Sequence, residues 1–421
     1  MKRSLLAVTL LAFPGWADTV LPTVKNTATP AATAYMKGVE LVTAGKLKEA
    51  QAAFEESNQL DPKLGFGYLG LGEVALRSGQ TQQAEGHFKT ALGIQPANAG
   101  VQAAWGRYLE SQRRWPEAEA AYRKSIAINP EAVPIQVSLG DVLLKGLNRP
   151  QEAADVYRRA LAKDPAHGGA HFALATALAR LGKLDDARPE YEAAARVSPK
   201  NPLPHQALGE LLIARKDLDG AMKSFDAALA ANPKFFLAYL SRGDIYMNRG
   251  DHARAAAEYE AAAAIVPKAA VPKVKAAMAY QALAKLKEAR TLYLAAIELD
   301  PKIPVAYNNL AWMAAQSKTE LERALDWANK AVSLAPRDPT PVDTLGWVLY
   351  VRGDTTRAIQ TLKQAIQMDP QRPDPHYHLG VIYQQTGNQS EAEAALRKAL
   401  QISRSFDGAR DAEQRLARTR R

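Results

Sequence analysis

The chain has 421 residues, 47% hydrophobic and 23% charged, a balance that excludes a disordered or fibrous protein. It has no cysteine, which excludes disulfides, thiolate metal sites and a lipoprotein anchor, because the acylated residue of a bacterial lipoprotein is cysteine. The formal charge is +10, but acids and bases alternate along the chain and form no aromatic-interleaved basic stripe, which argues against a nucleic-acid partner.

The chain opens with "MKRSLLAVTLLAFPGWA": Lys2 and Arg3, an apolar run from Ser4 to Phe13, then Gly15-Trp16-Ala17. This charged, apolar and small-residue order predicts a secretory signal peptide over residues 1–17, cleaved after Ala17. The run is too short to span a bilayer, which needs about 20 apolar residues. No later segment is a spanning candidate, so the expected mature chain has no transmembrane span. Its expected location is the periplasm, soluble or peripherally associated with the envelope. Losing Lys2 and Arg3 leaves a charge of +8. Residues 18–30, rich in Pro and Thr, read as an extended leader.

From residue 31 a small residue recurs after an apolar one. Gly38, Gly72, Gly106 and Gly140 are 34 apart; Ala175 is 35 on; Gly209, Gly243, Ala277 and Ala311 follow at 34; Gly346 is 35 on and Gly380 another 34. Alanine comes 12 residues later in most units (Ala50, Ala84, Ala118, Ala187), and a large residue four further on (Phe54, Phe88, Tyr122, Tyr191, Leu362, Leu396). Proline closes most units, as at Pro62, Pro96, Pro130 and Pro370. This divides residues 31–406 into eleven units: 31–64, 65–98, 99–132, 133–167, 168–201, 202–235, 236–269, 270–303, 304–338, 339–372 and 373–406. Each reads as two amphipathic helices of about twelve to fourteen residues. Gly45, Gly79, Gly182, Gly250, Gly353 and Gly387 fall where a left-handed residue would end the first helix. Asp-Pro or Asn-Pro stops the second. The small residue is expected to bring the helices together with the alanine as its counterpart, and the ring to fill the space between units. The extra residues of the two 35-residue units are expected in the turns, near Asn148 and Ser317.

These spacings resemble the tetratricopeptide repeat over about nine-tenths of the chain. The resemblance implies an all-α fold, a right-handed superhelical solenoid of helix-turn-helix repeats sharing one core. Residues 407–421 are then expected to form a polar capping helix, since a bare solenoid end leaves apolar surface in water.

No catalytic motif is present, and no cofactor or metal site is predicted. His167 and His171 share a helical spacing, but His167 falls at the helix start and no third ligand is adjacent. His376 and His378 point to different faces, one packed and one solvated.

The resemblance implies instead a groove lined by the first helices. Counting the small residue as position eight, the inner stripe takes positions two, five, nine, twelve and thirteen. It runs through Tyr35, Phe66, Leu69, Glu73, Arg107, Asp141, Glu210 and Asp244, mixed in charge. The last three units differ. They give Asn308, Trp312 and Gln316; then Asp343, Trp347 and Tyr350; then Asp374, Tyr377, Gln384 and Gln385. Aromatics interleaved with amides and carboxylates suit a peptide or a sugar face. The other reading of Trp312 and Trp347 is that they pack on neighbouring helices.

The stretch from "NNLAWMAAQ" through "DTLGWVLYVRG" to "HYHLGVIYQQTG" resembles the C-terminal repeats of bacterial envelope tetratricopeptide proteins, including those of exopolysaccharide export loci associated with PEP-CTERM systems. That resemblance implies a non-enzymatic periplasmic scaffold whose partners are export or envelope-assembly proteins. Direct binding of an anionic polysaccharide or a peptide along the groove is the alternative.

Overall fold

A computed structural model describes residues 29–419. The expected signal peptide and most of the expected leader lie outside those residues. Thr29 and Pro30, read as leader, belong instead to the first helix. Thr29 Oγ1 accepts from the Ala32 amide at 3.2 Å as the N-cap, and Pro30 opens the helix. Proline suits that place because its fixed φ is already helical.

Among the described residues there are 23 α-helices, one π-helical turn and no strand. They fall in two compact units, divided between Ala231 and Asn232. The first holds α1 (Pro30–Thr43), α2 (Leu47–Leu60), α3 (Phe66–Arg77), α4 (Thr81–Ile94), α5 (Ala99–Ser111), α6 (Trp115–Ile128), α7 (Val133–Asp141), α8 (Pro150–Lys163), α9 (Gly168–Arg180), α10 (Leu184–Val197), α11 (Pro202–Ala214) and α12 (Leu218–Ala231). The second holds α13 (Phe236–Asn248), α14 (His252–Ile265), α15 (Ala270–Ala282), α16 (Leu286–Leu299), α17 (Pro304–Ser317), α18 (Leu321–Leu334), α19 (Pro339–Val351), α20 (Thr355–Met368), α21 (Pro373–Gln385), α22 (Gln389–Ile402) and α23 (Ala409–Thr419). Within each unit the helices pack as successive hairpins, an all-α tetratricopeptide-type solenoid, and each hairpin also packs on the next.

The turns follow from local chemistry. Glycines 45, 79 and 182 in the first unit and 250, 353 and 387 in the second have φ between 74° and 94°, a region costly for residues with a Cβ. At the unit ends an Asp or Asn folds back on the backbone two residues on. Asp61 Oδ1 accepts from the Lys63 amide at 3.0 Å, and Asp369 Oδ1 from the Gln371 amide at 3.0 Å. The proline between them bars helix, and the carboxylate satisfies an amide that the lost helix leaves open.

The two extra residues are accommodated differently. In the fourth repeat, where the turn near Asn148 was expected to take it, the end of the first helix widens into a π-helical turn, Val142–Gly146. That turn lays Gly146 against the Trp115 ring, where a Cβ would come within 2.3 Å of the indole. In the ninth repeat α17 runs to 14 residues where α15 and α19 have 13, and Lys318 and Glu320 both turn left-handed at φ 53° and 50°.

The counterpart of the small residue is the ring, not the alanine. A Cβ on Gly38, Gly140, Gly209 or Gly243 would lie 2.3 to 2.5 Å from Phe54, Tyr157, Phe225 or Tyr259 of the same repeat. Phe54 also lies under Gly70 of the following repeat, so one ring fills both contacts. Three residues of the expected inner stripe are core instead. Tyr35, Phe66 and Leu69 are buried, with Tyr35 centred 5.5 Å from Phe54 and 5.9 Å from Phe66. At the chain's first repeats large rings at positions two and five are drawn into the helix–helix seam, where they bury the most apolar area.

Candidate functional site

The buried phenols explain an acid at position nine in the fourth and seventh repeats, and at position twelve in the third. Tyr157 Oη donates to Asp141 at 2.7 Å, and Tyr259 Oη to Asp244 at 2.6 Å; Tyr122 Oη reaches Glu110 at 2.7 Å. Burial pushes all three phenols well up from their ordinary value. A buried hydroxyl needs an acceptor, and these acids supply it. They are thus framework partners as much as groove lining.

In the second unit the pattern breaks. Helices α17, α19 and α21, with the start of α23, enclose a cavity of about 520 Å³. Six of the eight predicted contact residues line it: Asn308, Trp312, Gln316, Asp343, Trp347 and Tyr377. Trp312 and Trp347, one repeat apart at position nine, are half-buried with ring centroids 6.3 Å apart. Both tryptophans pack on neighbouring rings and also line the cavity.

His378 holds the cluster together. It is buried, with its ring 4.7 Å from Trp347, 5.4 Å from Trp312 and 5.4 Å from Tyr377. Its Nδ1 pairs with Asp343 Oδ1 at 2.8 Å, and both side chains are under a tenth exposed. An ionised carboxylate can only accept, so the Nδ1 that meets it carries a proton, and the His378 side chain lines the cavity. No side chain among the described residues bonds Nε2, so the pair holds no nucleophile in line. Asn308 is also buried; its Nδ2 donates to Asn309 at 3.2 Å, while its Oδ1 has no partner.

The other two predicted residues lie behind the wall. Tyr350 packs on Trp347 at 5.3 Å and joins the core around Leu349 and Leu362, because position twelve turns away from the indole toward the second helix. Gln384 accepts from Arg415 Nη1 at 2.9 Å and fastens the final helix. That helix does more than cap the end. Asp411 accepts from Tyr377 Oη at 2.8 Å and pairs with Arg415, and Asp407, Asp411 and Arg415 form one side of the cavity. Burial and the Asp411 acceptor push the Tyr377 phenol up to about 12.

The inner stripe did not include position six, which His378 occupies. The signal was present. Two residues before the small residue stand Gly70, Ala104, Ser138, Ala173, Ala207 and Ser241, then Lys275, Asn309, Thr344 and His378. The larger groups reach back to the preceding repeat. Lys275 Nζ bonds Asp244 Oδ1 at 2.5 Å and Asn309 Nδ2 donates to Tyr293 Oη at 2.7 Å, as His378 does to Asp343.

Three other histidines serve the framework. His167 caps α9, its Nδ1 accepting from the Ala170 amide at 3.0 Å; His171 pairs with Glu190 at 2.6 Å; and His376 bonds the Pro370 carbonyl at 3.2 Å. No group of three or more potential ligands among the described residues could hold a metal ion. No described helix is long and apolar enough to cross a membrane.

Among known proteins, a stretch of 106 residues is 32% identical to the Hsp70-Hsp90 organizing protein of Triticum aestivum, a quarter (25%) of this chain and 18% of that one. A stretch of 68 residues is 38% identical to cellulose synthase operon protein C of Komagataeibacter xylinus, 16% of this chain and 5% of that one. The matched stretches thus span less than a fifth of either relative. Among solved structures, the Cut9-Hcn1 hetero-tetramer of APC/C aligns over 95% of this chain and 98% of that one, at 13% identity and a TM-score of 0.48. Family models match nearly the whole repeat region: a tetratricopeptide repeat model over residues 35–99, 69–133, 103–165 and 138–202, and the cilia and flagella-associated protein 70 C-terminal domain over residues 201–417. The chain therefore belongs to the tetratricopeptide repeat family, and its second half to the C-terminal-domain family of cilia and flagella-associated protein 70.

Proposed function

We propose that this protein is a non-catalytic scaffold that docks other proteins, that it is exported to the periplasm, and that it serves envelope assembly or the export of an exopolysaccharide or surface protein. The cavity of α17, α19, α21 and α23 carries the docking reading. Two half-buried indoles line it, and the buried Asn308 Oδ1 beside them is left without a partner. An unmet buried acceptor costs about 1–3 kcal/mol, and Asn308 Oδ1 is one of several in the chain. A docked chain can supply the missing donor.

The export reading is supported by the order of residues 1–17 and by the 38% identity of a short stretch to cellulose synthase operon protein C. An anionic polysaccharide is disfavoured at this cavity: Asp343, Asp374, Asp407 and Asp411 face only two guanidiniums, Arg372 and Arg415.

Crosslinking in the native envelope fraction tests the proposal. The wild-type chain should begin at Asp18 and crosslink to an export or synthesis component. Trp312→Ala/Trp347→Ala should lose that crosslink while keeping its helical circular dichroism. A mature chain retaining residues 1–17, or the same crosslinks from the double variant, rejects it.

A further inference from the structure

Resting on the reading of this cavity as a protein-docking site, we propose that it selects a cationic side chain, an arginine or lysine in an extended segment of the partner polypeptide. The wall carries four carboxylates against two guanidiniums, and offers acceptors beside the amide and indole N–H groups of Gln281, Gln316, Trp312 and Trp347. Asn308 Oδ1 is a buried acceptor without a partner. Of the lining guanidiniums, Arg415 is engaged with Asp411 and Gln384, whereas Arg372 meets Asp374 at 3.6 Å and its Nε makes no hydrogen bond. Asp407, exposed at the rim, is a further carboxylate with no ion pair among the described residues. The lining thus keeps a surplus of negative charge.

The aromatic faces agree with this. A cation is attracted to the face of an indole, and tryptophan is the strongest of the aromatic side chains in this respect. A planar guanidinium stacks on the ring while its edge donates to carboxylate and amide oxygens, which favours Arg over Lys. The chain shows the same chemistry in its own side chains: the Arg323 guanidinium stands 4.7 Å over the Trp327 ring, and Arg254 stands 4.6 Å over Tyr246. A glutamate or aspartate in the partner would instead meet Asp343, Asp374 and Asp407.

The test titrates the full chain with short blocked Gly-Ala peptides that differ only in a central Arg, Lys, Gln or Glu, read by calorimetry. The expected order is Arg, Lys, Gln, Glu, with Arg about tenfold or more above Gln and the preference shrinking as salt is added. Asp407→Lys should weaken the Arg peptide about tenfold, since it places a like charge at the rim. Its thermal unfolding should match the wild type, because the side chain is exposed. Equal binding of the Arg and Gln peptides, or no response to Asp407→Lys and to salt, overturns the charge selection. A Glu peptide bound in preference, with binding lost in Trp347→Ala, overturns it too but leaves the docking reading intact. If no peptide binds, the selection fails, and the crosslinking of the double tryptophan variant decides the docking reading separately.

Discussion

In the first unit, residues 29–231, the large rings are inside and the charges line position nine. Phe54, Tyr122, Tyr157 and Phe225 lie buried under glycines, and Glu73, Arg107, Asp141 and Glu210 hold the phase where Trp312 and Trp347 stand in the second unit. The last repeats of the second unit invert this. Leu362 and Leu396 lie under Gly346 and Gly380, and Ala328 stands at the matching place in the ninth repeat. Buried tyrosines need acceptors, and Tyr122, Tyr157 and Tyr259 find theirs in an acid at position nine or twelve. Leucine and alanine make no such demand. In the ninth and tenth repeats no phenol stands at this place, and position nine carries an indole.

Two acid–partner pairs measure how far the regions have diverged. The Asp343–His378 pair is under a tenth exposed on both sides, whereas the Asp141 side chain is 27% exposed and also meets Lys145 at 3.0 Å. Asp343→Ala should cost about 2–4 kcal/mol in urea unfolding, because it strands a buried imidazole. Asp141→Ala should cost only about 1 kcal/mol, since water replaces much of what is lost. Equal losses would show that the two pairs are the same framework device.

Glycines give the next contrast. A Cβ on Gly209 meets Phe225 at 2.3 Å, and a rigid ring buried on all sides cannot yield. A Cβ on Gly346 meets Leu362 at 2.7 Å, where a branched aliphatic chain can turn. Gly209→Ala should lose about 2–3 kcal/mol, overpacking exceeding the helix gain of about 1 kcal/mol, and Gly346→Ala should lose less than about 1 kcal/mol. Gly86→Ala has nothing within 4 Å and should gain about 0.5–1 kcal/mol from propensity alone.

Most of this framework was legible in the sequence because each feature is local or repeats. A left-handed turn selects glycine at Gly45 and Gly353 whatever surrounds it, and a 34-residue period survives variation at single positions. The cavity's tryptophans were legible because they depart from a repeated background. What escaped depended on reach between repeats. His378 at position six gains its meaning only from Asp343, 35 residues earlier, and no helical periodicity within one repeat reports that pairing. The π-helical turn at Val142–Gly146 escaped for a related reason: an extra residue can enter a loop or a helix, and the Trp115 ring it packs on comes from the preceding repeat.

The smallest expected effect lies in the first unit and follows from its acid–phenol pairs. Burial raises the Glu110 carboxyl above its ordinary value, against the opposing pull of the Tyr122 hydroxyl that donates to it. The folded state therefore binds a proton that the unfolded state, titrating near about 4.3, has already released. With more protons bound in the folded form, stability falls as pH rises through the window between the two values. Above that window the charged carboxylate is held against its desolvation cost. Glu110→Gln keeps an oxygen that can accept from Tyr122 and removes the charge. Urea unfolding below and above this window should show the wild type losing stability on the way up and the variant losing less. At neutral pH the variant should equal the wild type or exceed it by less than about 1 kcal/mol. The corresponding layer of the last two repeats has leucine in place of the phenol, and Leu362→Met there should leave the pH profile unchanged. A Glu110→Gln profile parallel to the wild type would mean that burial and the Tyr122 hydrogen bond cancel at this carboxyl.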